Sequence, residues 1–318
     1  MIRKFPKVSI VIAAHRANVH LRETVKKCLD LDYPSFDIIV VPTENFSFPH
    51  KKVRIIPVGN KSPAYKRGEG IRASNASIIA FIDDDAYPRS DWLKKAVNYL
   101  ESGNIVGVGG PAITPPSDSV MQKAGGYVLE SRLGSGSLAF RYTPKENRFV
   151  DDYQSCNLIL KRAPLKMRLF NSKIWPGEDT ELVNNLIKLS GKKVLYANDV
   201  VVFHHRRAMF KPHLKQIYGY GSHRGYFARV LPETSRRFTY FIPSLFFLFF
   251  LSGLALSFFN QIIMFLYLLV LAVYFFGLAY SSVRKNVLLS PLIFISIFLT
   301  HFVYGFAFIK GFIWGVKR

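Results

Sequence analysis

Three consecutive carboxylates, Asp83-Asp84-Asp85, follow the apolar pair Phe81-Ile82 with no turn residue between. Residues 78–82 read as a buried strand, so the acids stand at its carboxyl end. That edge is where open α/β sheets bind ligands. Adjacent like charges repel, and a hard divalent cation with oxygen ligands would gather them. Asp83 and Asp85 alternate along the chain and can share one ion while Asp84 points elsewhere. A cation held by one or two carboxylates keeps open positions, so magnesium or manganese with a nucleoside diphosphate is the natural occupant. The plainer alternative is a solvated acidic loop that caps the next helix, although Ser90 and Asp91 already lie where that cap is needed.

Two further groups could complete such a site. Glu178-Asp179 opens a helix after Trp175-Pro176-Gly177, where acids are also favoured simply by the helix dipole. In the functional reading Asp179 is a general base that takes a proton from an acceptor hydroxyl, and Glu178 orients the acceptor or the helix. His204-His205 ends a strand, with Arg206-Arg207 next. A single strand-end histidine is more often structural. Here one imidazole, His204 ahead of His205, suits manganese, and the arginines suit diphosphate oxygens. Residues 216–225 set Gln216, Tyr218, Tyr220, His223 and Arg224 among three glycines. They read as a flexible stretch that either closes over the donor diphosphate or lies at a membrane interface. Gly107-Val108-Gly109-Gly110 imitates a dinucleotide fingerprint but runs into Pro111 instead of a helix.

The elements that must position these residues alternate. Strands are expected at 8–13, 38–41, 53–57, 78–82, 105–108, 158–160, 194–196 and 200–203. Helices are expected after Asn18, from Ser62-Pro63 to about residue 74, over 91–100, and from Glu178 to Gly191. This alternation predicts an α/β fold with a largely parallel sheet covered on both faces. Residues 111–150, rich in Gly, Ser and Pro, read as a long polar loop, either a lid or an excursion. Cys28 and Cys156 lack CxxC spacing, and as reduced, buried thiols they fit a cytosolic domain. Residues 1–7 run directly into the first strand without an apolar signal region.

Charge and hydropathy divide the chain of 318 residues. After Glu233 there is no Asp or Glu, and Phe, Leu, Ile and Tyr dominate. Three segments, 240–259, 262–283 and 287–309, each approach the roughly 20 residues needed to span a bilayer as a helix. The first two form a tight hairpin. Arg236, Arg237, Arg284 and Lys285 belong on the cytoplasmic side by the positive-inside rule, and residues 1–230 with them as one domain. Three crossings would leave Lys317 and Arg318 outside, so re-entry of the last segment is the alternative to a third span. The net charge of +22 is concentrated before residue 240, where basic residues meet anionic lipid headgroups or a lipid-borne phosphate. No nucleic-acid-binding signature accompanies it.

Over roughly residues 7–225 the chain resembles the family 2 glycosyltransferases, inverting enzymes of the GT-A fold. The likeness is carried by Val8-Ser9-Ile10-Val11-Ile12, Tyr33-Pro34 with Ile38-Ile39-Val40-Val41, and Ala80-Phe81-Ile82-Asp83-Asp84-Asp85 with Pro88 and Trp92. Ser155-Cys156-Asn157-Leu158, Gly177-Glu178-Asp179-Thr180-Glu181-Leu182 and Val202-Phe203-His204-His205 follow in the family's order. The resemblance implies a nucleotide-sugar donor, UDP favoured by family frequency, and a divalent metal, Mn2+ or Mg2+, on Asp83, Asp85 and His204. Asp179 becomes the base beside Glu178. Asp83, Asp84, Lys66 and Arg67 face the donor, and Arg207 and Arg224 join them. The chain departs from the family at Ala13-Ala14 and His15, where Pro-Thr is usual, and at Pro42-Thr43 and Glu44, where an acidic pair is usual. Ala13, His15 and Glu44 then border the nucleoside. The processive Gln-x-x-Arg-Trp motif is missing, so transfer of one sugar is expected, to a lipid-linked glycan or polyprenyl carrier. A polyprenyl-phosphate transferase or an inactive nucleotide-sugar-binding protein is the alternative.

Overall fold

The computed structural model describes residues 5–165, 170–171 and 177–316. In chain order the elements are β1 (Val8–Ala13), α1 (Val19–Leu29), β2 (Phe36–Val41), β3 (Val53–Ile55), α2 (Pro63–Ala73), β4 (Ile78–Asp83), β5 (Ala86–Pro88), α3 (Trp92–Leu100), β6 (Ile105–Gly109), β7 (Ala112–Ile113), α4 (Val120–Glu130) and α5 (Arg132–Ser135). A 3-10 turn and β8 (Arg148–Val150) lead to β9 (Asn157–Lys161), α6 (Arg162–Leu165), α7 (Glu178–Ser190), β10 (Lys193–Tyr196) and β11 (Val202–His204). Helices α8 (Lys211–Val230), α9 (Pro232–Ser235), α10 (Phe238–Ser257), α11 (Gln261–Lys285) and α12 (Ser290–Trp314) close the chain. Contacts divide it into one unit of Met1–Pro115 with Thr143–His205 and a second of Pro116–Tyr142 with Arg206–Arg318. The single boundary expected near residue 230 partitions the chain differently, because α8 packs along α12.

In the first unit an eight-stranded sheet has the order β3-β2-β1-β4-β9-β6-β10-β8, beside a three-stranded sheet β5-β11-β7. The sheet is largely parallel, as expected: β3, β2, β1, β4, β6 and β10 run the same way, and β9 and β8 are the exceptions. β9 runs antiparallel to both β4 and β6, and β8 antiparallel to β10. Strand direction is set by how the connecting segments return, which periodicity does not encode. The strands bury continuous apolar runs such as Val8, Ile10 and Ile12 against Leu21, Val25 and Cys28 of α1. Asn18 starts α1 by accepting the Leu21 N–H at 2.9 Å, and Ser62 starts α2 by accepting from Tyr65. Asp91 does not cap α3; its carboxylate pairs with Arg89 at 2.6 Å. Fully buried Trp92 anchors α3, and truncating such a side chain costs about 3–5 kcal/mol. Both cysteines are buried thiols outside any disulfide among the described residues.

The second unit corrects two expectations. The supposed loop at 111–150 contains α4, started by a capping box in which Ser119 and Gln122 bond reciprocally. Its Gly125 and Gly126 depress helix propensity, but a Cβ on Gly125 would meet the Arg207 carbonyl at 2.9 Å, so close packing requires glycine there. Ala124 and Val128 of α4 pack on Met209, Leu278, Ile293 and Ile297. Residues 216–225, expected to be flexible, lie inside the 20-residue helix α8. Among its glycines, Gly221 and Gly225 face the backbone of α12 at Tyr304 and Phe308. α10, α11 and α12 are each long and apolar enough to cross a membrane. α10 and α11 form the expected hairpin, capped at Asn260, whose side chain accepts from Ile262 and Ile263. α12 is one continuous helix of 25 residues. Lys317 and Arg318 lie outside the described residues.

Candidate active site

β1, β2 and β4 run parallel and in register, so Ala13 stands beside Val41 on one side and Asp83 on the other. Their carboxyl ends share an edge. β4 ends at Asp83, and Asp84 and Asp85 turn the chain into β5. β5 pairs with β11 so that Ala86 opposes His204, which brings that imidazole to Asp85. His204 Nε2 lies 3.0 Å from Asp85 Oδ1. The ligand atoms of Asp83, Asp85 and His204 lie within 4.8 Å of one another. Two carboxylates and an imidazole form a donor set that fits Mn2+, with Mg2+ served by the carboxylates alone.

Each acid in the run has a partner in the fold. Asp83 Oδ1 accepts from Arg67 Nη2 at 2.8 Å, and Asp84 Oδ2 accepts the His15 N–H at 3.3 Å. Burial works against a charge on His204, but Asp85 outweighs it and raises the imidazole to about 10. The other arm of Arg67, Nη1, donates to Glu178 Oε1 at 2.6 Å. Burial opposes the Arg67 cation as well, yet Asp83, Glu178 and Asp179 together hold it above its ordinary value. Glu178 is only 4% exposed. Burial pushes its carboxyl up to about 7, against the pull of Arg67. The guanidinium therefore joins the aspartate run to the start of α7.

Asp179 is set up differently. Its Oδ2 accepts the Ser155 N–H at 3.1 Å and its Oδ1 the Thr180 N–H at 2.9 Å, while its side chain stays partly accessible. Thr180 Oγ1 donates to Asp152 at 2.7 Å and fixes the first turn of α7. Trp175 and Pro176, expected to lead this helix, lie outside the described residues. Lys66 is buried and donates to the Ala14 carbonyl at 2.6 Å and to Thr43 Oγ1 at 2.7 Å. That burial lowers its pKa, with Asp84 acting in opposition. Exposed His15 contacts Thr43 Oγ1 at 3.1 Å, and Glu44 is exposed next to it in the chain.

His205 turns its side chain elsewhere: its Nε2 meets Glu23 Oε2 at 3.0 Å. Arg207 and Arg224 belong to the second unit. Arg207 is exposed, and Arg224 donates to Ser235 at 3.1 Å with its guanidinium 4.7 Å from the Tyr240 ring centre. Sequence reasoning missed three positions. Thr43 is the shared partner of Lys66 and His15, and the Ser155 N–H that orients Asp179 leaves no trace in residue type. Asn157 is buried in β9, donates to the Gly110 and Val200 carbonyls at 2.7 Å each and accepts from Trp92 Nε1 at 2.8 Å. Besides its place in the Ser155-Cys156-Asn157-Leu158 match, its visible signal was an asparagine inside an apolar strand.

Comparison with known proteins agrees in kind. Residues 9–166 match the family model described as Glycosyl transferase family 2. The dolichyl N-acetyl-alpha-D-glucosaminyl phosphate 3-beta-D-2,3-diacetamido-2,3-dideoxy-beta-D-glucuronosyltransferase of Methanococcus voltae is 24% identical over 244 residues, 70% of this chain and 74% of that protein. The pre-mycofactocin glycosyltransferase of Mycobacterium tuberculosis is 24% identical over 163 residues, 51% of this chain and 34% of its own length. Mannosyltransferase PcManGT from Pyrobaculum calidifontis, solved in complex with GDP-Man and Mn2+, gives a TM-score of 0.60 at 15% identity, covering 99% of this chain and 89% of that one. At that identity the likeness is one of fold.

Proposed function

The chain carries a Glycosyl transferase family 2 domain on a GT-A-like core, and from that premise we propose that it is a membrane-anchored, inverting transferase. It moves one sugar from a nucleoside diphosphate donor to a lipid-linked acceptor. The observation that carries this reading is the Asp83, Asp85 and His204 cluster, tied through Arg67 to Glu178 beside Asp179.

A divalent ion held by Asp83, Asp85 and His204 would offset the charge of the departing diphosphate. Arg67 holds Asp83 in place and keeps Glu178 occupied, leaving Asp179 as the accessible carboxylate. In the reaction the acceptor oxygen bonds to the anomeric carbon and gives its proton to Asp179. The bond from that carbon to the diphosphate oxygen breaks, and the electron pair leaves with the nucleoside diphosphate, so the configuration inverts. Ala13, His15 and Glu44 border the nucleoside. Lys66 and Asp84 shape that border from within.

The lipid-linked acceptor is supported by the three apolar helices and by the Methanococcus relative, whose name specifies a dolichyl-phosphate-linked sugar. Arg236 and Arg237 before α10 and Arg284 and Lys285 ending α11 flank the same end of a helical hairpin. Their charge supports a cytoplasmic catalytic side facing anionic lipid.

The test is release of nucleoside diphosphate by detergent-purified full-length protein. UDP-, GDP- and dTDP-sugars would be offered with and without Mn2+, against lipid-linked saccharide and polyprenyl phosphate acceptors. UDP-sugars are expected to lead, and GDP-mannose belongs in the panel because PcManGT was solved with it. The expected result is donor-selective, metal-dependent release that also requires one acceptor class. Donor binding with no release under any pairing would overturn the transferase reading.

A further inference from the structure

His204 and His205 are consecutive, yet they enter different clusters. The second contains His20, Glu23 and His205, whose ligand atoms also lie within 4.8 Å of one another. We propose that these three residues form a second metal site, separate from the aspartate cluster and suited to a borderline ion such as zinc.

The sequence and the packing both prepare it. His20 and Glu23 stand three residues apart at the start of α1 and so share a helix face. Asn18 fixes the start of that helix through its cap bond to Leu21. His205 is brought to them by its own backbone, whose N–H donates to the Asp85 carbonyl at 3.0 Å. Its ring centre lies 4.4 Å from that of His20, and its Nε2 lies 3.0 Å from Glu23 Oε2.

A plain histidine–glutamate hydrogen bond accounts for His205 and Glu23 but not for His20. Among the described residues, buried His20 Nδ1 has no hydrogen-bond partner, which native proteins rarely tolerate without a reason. Coordination draws all three side chains into one arrangement. Two imidazoles and one carboxylate make a nitrogen-rich set that zinc accepts in tetrahedral geometry with a water as fourth ligand. The cluster of Asp83, Asp85 and His204 is richer in oxygen and suits a harder ion.

The site also has a mechanical consequence. Thr24 Oγ1 donates to the Asp84 carbonyl at 3.3 Å, and the His205 N–H to that of Asp85. An ion joining α1 to His205 therefore clamps both supports of the turn that carries the aspartates. It acts as a positioning element and touches no substrate.

Full-length Asp85→Asn protein, which disables the aspartate cluster, would be titrated with Co2+ as a spectroscopic substitute for zinc. About one ion per chain with visible tetrahedral absorption is expected. Loss of outer partners of a metal ligand alone weakens binding about 10–100-fold, so adding Glu23→Gln or His20→Ala should weaken it by more. Zinc should also shield His20 and His205, but not exposed His15, from diethylpyrocarbonate, read by peptide mass spectrometry. This measurement needs neither substitution, and it decides the matter if His20→Ala does not fold. Absence of Co2+ absorption in Asp85→Asn protein, unchanged affinity in the further variants, or equal labelling of all three histidines with and without zinc would each overturn the site.

Discussion

Arg67 governs how charge is shared at the candidate site. Asp83 and Glu178 are acids 95 positions apart in the chain that reach opposite ends of one buried guanidinium, at 2.8 and 2.6 Å. Removing one member of a buried ionic group leaves the others uncompensated and costs about 3–5 kcal/mol. Arg67→Ala should therefore lower the melting temperature sharply as well as weaken donor binding. A melting temperature within a degree or two of the parent would show that the pair is not formed. Asp179 predicts the opposite split: Asp179→Asn should keep stability and donor binding while transfer falls by two orders of magnitude or more, about the low end for a general base. Near-parental turnover would remove Asp179 from the base role. A pH prediction follows from Glu178. A carboxyl raised from 4.5 to about 7 by burial holds its proton more tightly when folded. Its contribution to stability is therefore greatest below pH 4.5, declines between 4.5 and 7, and is flat above. In metal-free protein the melting temperature should fall over that window, and Glu178→Gln should flatten the fall. A wild-type profile that rises there would mean Arg67 keeps Glu178 ionised. At this scale the repulsion among Asp83, Asp84 and Asp85 was legible, and the resemblance already grouped His204 with Asp83 and Asp85; that Arg67 pairs with both Asp83 and Glu178 was not, because those partners are remote in sequence.

Among the elements, α8 shows how glycine can mean contact instead of flexibility. A Cβ on Gly225 would meet the Phe308 carbonyl oxygen, whereas one on Gly219 would meet nothing within 4 Å among the described residues. Gly225→Leu should accordingly part α8 from α12 and cost about 1–3 kcal/mol as overpacking. Gly219→Ala should instead stabilise α8 by up to about 1 kcal/mol through helix propensity. Thermal melting in detergent distinguishes the two, and equal shifts would mean the glycines do not read the interface. The same misreading affected α4, whose Gly125-Gly126 pair hid a helix that its capping residues Ser119 and Gln122 announced. Elements with strong local caps and uninterrupted apolar runs, β1, α1, α2 and β4, were legible because the forces that form them act within a few residues. Element ends and the direction of β9 were not, since partner strands set them.

For the whole molecule, the hairpin of α10 and α11 leaves both basic pairs at one end and Asn260 at the other. If the basic end faces the cytoplasm, a cysteine at position 260 should react with an impermeant maleimide from outside intact cells. A cysteine at position 285 should react only after the membrane is opened. Reversed labelling would turn the catalytic side outward. Local sequence pattern was enough to determine that the chain has an α/β part and an apolar part, that three segments can span a bilayer, and that carboxylates cluster at a strand end. These follow from local periodicity and from the cost of exposing apolar or like-charged groups to the wrong solvent. Only the tertiary structure decided that His204 and not His205 meets Asp85, that Arg67 links Asp83 to Glu178, and that α8 packs on α12. Each depends on strand register or helix packing that brings together residues 16 to 119 or more positions apart, and no local signal encodes such pairings.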